Sequence, residues 1–296
     1  MHDSQTTAFV LSGGASLGAV QAGMLEALYE RDVAPDLIVG SSVGALNGAF
    51  IASRPATLET AAQLADLWRS LSRGNVFPLD PLTGFLGFFG ARDHLVPAGA
   101  LRKLLAKHLE LRALEDSPIP FHIVVTELLS GRELRLSSGD VETAIMASAA
   151  IPGIFSPVER DGNLLIDGGV ADNTPIVHAI ELGASRIYVL PTGVACDLRE
   201  APRGAVAMLL HAMSLLVMRR MLVEIVELRD RAELIVLPPP CPLMITPIDF
   251  SHGDELIRRG YEDSCEYLDA VARGEAPVLM EMHQHDRPVG TAAESE

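Results

Sequence analysis

Short runs of consecutive apolar residues alternate along this chain with longer stretches whose apolar residues recur every three to four positions. Ala8-Phe9-Val10-Leu11, Leu37-Ile38-Val39 and the runs at 121–126, 162–166, 186–191 and 234–237 are of the first kind. They are short and bounded by turn residues, as strands buried on both faces are. The second kind begins at 19–31, where Val20, Met24, Leu25 and Leu28 share one helical stripe. Further helices are predicted over 57–71, 98–109, 141–150, 173–180, 202–231 and 254–272, with Pro175 suited to a first turn. Leu134-Arg135-Leu136, after Ser130-Gly131, reads as a hairpin return. This alternation predicts an α/β fold whose mainly parallel central sheet is covered on both faces. Residues 72–99 break the pattern. Gly84-Phe85-Leu86-Gly87-Phe88-Phe89-Gly90 within them reads as a loop folded over the core, as a mobile apolar cap over an active site, or as an apolar tip that dips into a lipid surface. With no long linker and no repeat, residues 1–282 are expected to form one domain. Residues 283–296 are polar and are expected to be a disordered tail, with the His283/His285 pair read as part of it or as a metal-binding pair.

Composition narrows the function. The chain has 296 residues, 48% of them hydrophobic and only 5% aromatic, so aliphatic side chains fill a generous core. Its formal net charge of −16 repels phosphate backbones, which argues against nucleic acid as a partner. The same charge opposes electrostatic adhesion to anionic lipid, so any membrane-surface contact would be apolar, local and transient. Cys196, Cys241 and Cys265 show no zinc-type spacing and read as reduced thiols. The polar start, Met1 to Thr7, lacks the pattern of a signal peptide, and the apolar stretch 205–218 is too short to span a bilayer. A cytoplasmic protein, peripheral at the membrane if it meets one, is expected. The methionines at 208, 213, 218 and 221 read either as core or as a pocket wall for a flexible acyl chain.

Three segments carry candidate chemistry. The first is Gly40-Ser41-Ser42-Val43-Gly44, between the second strand and a small-residue helix. A serine on so sharp a turn adopts strained backbone angles, and Gly40 and Gly44 remove the Cβ atoms that would collide there. The hydroxyl is lifted above the sheet edge, and the helix behind it points free N–H groups at the same place. The second is Ser12-Gly13-Gly14-Ala15-Ser16-Leu17-Gly18, between the first strand and its helix. A dinucleotide fingerprint would need a glycine where Ala15 stands, and a Walker loop would need Gly-Lys-Ser/Thr. The remaining reading is an oxyanion loop serving Ser42 from the neighbouring strand end. The third is Asp167-Gly168-Gly169, where an aspartate leaves a buried strand. It reads as turn chemistry or as an acid reaching across the sheet edge. His178 and His252 follow Asp167 in the chain, so a conventional serine–histidine triad is an open alternative.

Together these segments resemble the patatin-like phospholipases, a family of lipid acyl hydrolases. Ala147 to Pro157, the run from Asp172 to Pro175, Asp249-Phe250-Ser251 and Gly260-Tyr261 are similar to the family as well. The resemblance implies a three-layer α/β/α sandwich and a serine–aspartate dyad without histidine. Ser42 would be the nucleophile and Asp167 the general base. Gly13, Gly14, Ala15 and Val43 would supply oxyanion N–H groups, with Gly18, Gly40, Gly44, Gly168 and Gly169 supporting the motifs. No metal or organic cofactor is implied, and the substrate would be a lipid or acyl ester. Related expectations are a thioesterase or transacylase on the same dyad, or a weakly catalytic lipid-binding protein. The chain departs from the family at Ala15, usually glycine, which still has an N–H, and at Leu17, usually a cation; the missing cation motivates the last expectation.

Overall fold

The computed structural model describes residues 5–78, 94–193, 204–241 and 245–275. The Phe-rich stretch 84–90 and the tail 283–296 lie outside the described residues. The centre is a twisted sheet in the order β5-β6-β3-β2-β1-β7-β8, with β4 paired to β3 off this path. The parallel part comprises β1 (Thr7–Leu11), β2 (Leu37–Ser41), β3 (Phe121–Glu127), β7 (Arg186–Leu190) and β8 (Glu233–Val236). Each connection within it passes through helices, as parallel pairing requires.

The strands alternate in the face they fill. Phe9 and Leu11 belong to one hydrophobic cluster, with Ile38 and Ile123, under α1 (Ala19–Tyr29), α2 (Val43–Ala52), α3 (Leu58–Ser70), the short α4 (Arg73–Val76), α5 (Gly99–His108) and later helices of that face. Ala8 and Val10 belong to the other, with Val39 and Val124, under Ile176, Ala179, Met221 and Ile225. Those residues come from α7 (Ile176–Glu181) and α8 (Ala205–Leu228). One sheet with a core on each face is the three-layer α/β/α sandwich. The first face is closed by α9 (Gly253–Ala272), which crosses α1 backbone to backbone. A Cβ on Gly23 would lie 2.0 Å from the Ile257 carbonyl oxygen, and one on Gly260 would lie 2.6 Å from that of Val20. Only glycine permits so close an approach.

The sheet departs from the parallel pattern at one end. β4 (Glu133–Leu136), β5 (Val158–Arg160) and β6 (Asn163–Asp167) are antiparallel to their neighbours. β5 has only three residues and no apolar run, so no periodicity marks it. The antiparallel end has a consequence for the site. β4 occupies one edge of β3, so β2 and β6 share the other. β2 runs along its first half and β6 returns along its second. Ser41 pairs with Val124 and Asp167 with Val125, so the carboxyl ends of β2 and β6 meet head-on against adjacent residues of β3.

Two further expectations are tested by these residues. Cys265 is a free thiol, but Cys241 is disulfide-bonded, which corrects the reading of it as reduced. No helix among the described residues is long and apolar enough to cross a membrane.

Candidate active site

Ser42 stands between β2 and α2 at φ 53 and ψ −123, a left-handed conformation that a serine adopts only under constraint. The turn is tight on both sides. A Cβ on Gly40 would lie 2.5 Å from the Gly44 carbonyl oxygen, and one on Gly44 would lie 2.1 Å from that of Leu11. The serine is held from behind by α6 (Val141–Ser148). The Ser148 hydroxyl donates to the Val124 carbonyl at 2.7 Å and accepts the Ser42 N–H at 2.8 Å.

The Ser42 hydroxyl donates to Asp167 Oδ2 at 2.8 Å, and both residues are 6% exposed. The other carboxylate oxygen accepts the Gly169 N–H at 2.7 Å. Thr126 fixes the end of β6, donating to the Asp167 carbonyl at 2.9 Å and accepting the Ala171 N–H at 3.1 Å. Burial pushes the Asp167 carboxyl up to about 6, although the bonds from Ser42 and Gly169 favour its charged form. An acid so placed is ionised near neutrality yet basic enough to accept a proton from a hydroxyl.

Ser42 opens onto two cavities. One, of about 130 Å³, is bounded by the glycine-rich loop, Asn173, Thr192 and the Met213, Met218 and Met221 face of α8. The other, of about 50 Å³, is apolar and lies among Trp68, Phe77, Leu104, Ile145, Phe155 and Phe250. Among the described residues no histidine lines either cavity. His178 instead faces Glu133 and Glu181, and His252 faces Asp249 on an exposed loop.

The sequence profile of the patatin-like phospholipases matches residues 9–180, which is more than half of the chain and includes the loop, the elbow and Asp167. The chain belongs to the patatin-like phospholipase family. An uncharacterized NTE family protein of Mycobacterium tuberculosis is 35% identical over 174 residues, covering 58% of this chain and 45% of the relative. A lysophospholipase NTE1 of Mycosarcoma maydis is 28% identical over 202 residues, covering 66% of this chain and 10% of the relative. One from Aspergillus terreus is 26% identical over 318 residues, covering 98% and 20%. The chain thus spans less than half the length of the curated relatives it matches. Among solved structures, VipD from Legionella pneumophila covers 90% of this chain and 67% of its own at 15% identity, with a TM-score of 0.49.

Against the family pattern, the glycine-rich loop differs in detail. The Gly13 N–H is already engaged by the Asn173 carbonyl at 3.2 Å. The Gly13 carbonyl accepts from Thr192 Oγ1 at 2.5 Å and from Asn173 Nδ2 at 3.4 Å. Gly13 is thereby tied to Asn173 and Thr192 and anchors the loop. The N–H groups of Gly14, Ala15 and Val43 have no acceptor among the described residues. Ala15 sits at φ 51, where a glycine would be free of strain. Leu17, in place of the family's cation, is buried and lines the larger cavity.

A patatin-like sequence reading passes over the residues that hold these parts. Gln21 donates to the carbonyls of Ser12 and Leu190, both at 2.9 Å, and Asn47 donates to Gly18 at 3.0 Å and to Gln21 at 2.8 Å. Trp68 Nε1 closes the chain of bonds on Asn47 at 3.0 Å. Polar residues in otherwise apolar helices were the only signal available for Gln21 and Asn47.

Proposed function

We propose that the protein is a serine acyl hydrolase that cleaves fatty-acyl ester bonds of a lipid, of the phospholipase A or lysophospholipase type. The observation that carries the reading is the 2.8 Å bond from the Ser42 hydroxyl to a buried carboxylate beside an apolar cavity. Ser42 Oγ gives its proton to Asp167 and attacks the ester carbonyl carbon. The negative oxygen that forms is met by the N–H groups of Gly14, Ala15 and Val43. Asp167 returns the proton to the leaving alkoxide as the C–O bond breaks, leaving an acyl-serine. Water, deprotonated by Asp167, then attacks the acyl carbon, and Ser42 leaves with the proton.

The apolar cavity suits the acyl carbons next to the ester, and the larger cavity suits the leaving alcohol beneath the methionines of α8. Delivery from a lipid surface belongs to the same reading. Transfer of the acyl group to a thiol or alcohol instead of water would use the same intermediate.

The test is turnover on a panel of phospholipids, lysophospholipids and short esters. Ser42→Ala and Asp167→Asn are each expected to abolish hydrolysis, while no single His→Ala change costs more than about tenfold, less than the loss of a catalytic base. A histidine variant as inactive as Ser42→Ala would replace the dyad by a triad. A wild-type chain that binds these lipids without turning any over would make it a lipid-binding protein.

A further inference from the structure

Beyond the serine site, behind Asn173, lies a second group of ionisable side chains. Glu133 opens β4, Asp172 lies on the loop after β6, and His178 lies on α7. One donor atom from each falls within 4.8 Å of the others. We infer that Glu133, Asp172 and His178 bind one divalent transition-metal ion of the zinc type.

The first support is the state of the imidazole. His178 is 7% exposed, and both ring nitrogens are buried without a hydrogen-bond partner. Nε2 lies 3.7 Å from Glu133 Oε1, and Nδ1 lies 3.8 Å from Glu181 Oε2. These gaps are too long for hydrogen bonds. A zinc ion about 2.0–2.1 Å from each ligand holds its donor atoms roughly 3.3 Å apart, close to the Nε2–Glu133 spacing. Glu181, on the far side of the ring, faces the nitrogen that a ligating histidine offers to an outer carboxylate.

The second support is the space and charge around Asp172, which is 2% exposed. It borders a cavity of about 140 Å³ shared with Thr174, Arg220 and Glu224. Thr174 Oγ1 is a further buried polar atom there without a hydrogen-bond partner. The four carboxylates of the cluster, Glu133, Asp172, Glu181 and Glu224, face two guanidiniums. Arg220 is bound to Glu224 at 2.7 Å and lies 3.6 Å from the other oxygen of Glu133. Arg135 lies 3.5 Å from Glu181. One imidazole with two carboxylates favours zinc or manganese over magnesium or calcium, which take all-oxygen shells. Waters from the cavity would complete the coordination. Because Asp172 adjoins Asn173, which holds Gly13, the ion would fix the segment on which the glycine-rich loop rests.

The proposal is independent of the hydrolase reading, and its test reads binding. The full chain, stripped with EDTA and desalted, is titrated with Zn²⁺ by calorimetry and followed by thermal unfolding. One equivalent is expected to bind, raising the midpoint by at least about 3 °C at saturating metal. His178→Gln and Glu133→Gln are each expected to weaken binding at least about tenfold, as loss of a ligand or its support does. Glu133 is partly exposed, so its variant tests the site even if His178→Gln fails to fold. A Cys265→Ser chain and a His283→Ala/His285→Ala chain are expected to bind as the wild type does. The proposal is overturned if the wild type binds no Zn²⁺ at 100-fold excess, if the Glu133 variant binds unchanged, or if binding follows Cys265 or the two tail histidines.

Discussion

At the scale of single residues, the reading depends on the state of Asp167. Its carboxyl is pushed up to about 6 by burial, and a general base works only when ionised. Protonation below that value removes the base, so kcat/KM is expected to fall as pH drops through about 6 and to level off above it. A pH–rate profile on a neutral ester checks this. An acid limb near pH 4 would mean that the carboxylate meets water in solution as it does not in the structure. The glycines around Ser42 were legible in the sequence because a strand-to-helix turn leaves no room for Cβ atoms. The anchoring of Gly13 was not. Its N–H is consumed by Asn173, a residue 160 positions away, and no local pattern carries that information.

At the scale of elements, the decisive arrangement is the meeting of β2 and β6 on one edge of β3. Alternating strands and helices announced the parallel strands, and their runs of buried aliphatics fixed their places. The antiparallel β5–β6 hairpin was missed in part because β5 is three residues long and half-exposed. Yet this hairpin is what turns β6 round to bring Asp167 to Ser42. Ser148, at the end of α6, ties β3 to the elbow through one hydroxyl. Ser148→Ala would leave the Ser42 N–H and the Val124 carbonyl unpaired in a buried place, a loss of about 1–3 kcal/mol for each group that water does not reach. The expected outcome is a lower thermal midpoint together with a reduced kcat and little change in KM, because the nucleophile is loosened and the cavities are not. Denaturation and steady-state kinetics of the one variant check both. An unchanged kcat would mean that the strained turn holds Ser42 without help.

At the scale of the molecule, the two faces of the sheet do different work. The face under α1, α2, α3, α6 and α9 carries the apolar cavity, and the Met-rich α8 comes over the serine from the other. Met213, Met218 and Met221 line the larger cavity while Met208 is exposed, so the helix divides between pocket wall and surface rather than packing wholly into the core. The three-layer sandwich could be foreseen from periodicity and resemblance. Which helix borders the serine could not, since that depends on how far apart the faces stand. If the apolar cavity takes the first acyl carbons, Leu104→Trp on α5 (Gly99–His108) fills it. Hydrolysis of hexanoyl and longer esters is then expected to fall at least about tenfold with acetyl esters nearly unaffected, a difference within what a few methylenes contribute. Equal losses on both would place the chain elsewhere.

The most direct test is to treat the purified chain with a fluorophosphonate, which captures activated serines, and to locate the adduct by mass spectrometry. The reading predicts one adduct, on Ser42, absent from Ser42→Ala and strongly slowed in Asp167→Asn. An adduct on another residue, or none under conditions that label other serine hydrolases, would contradict it.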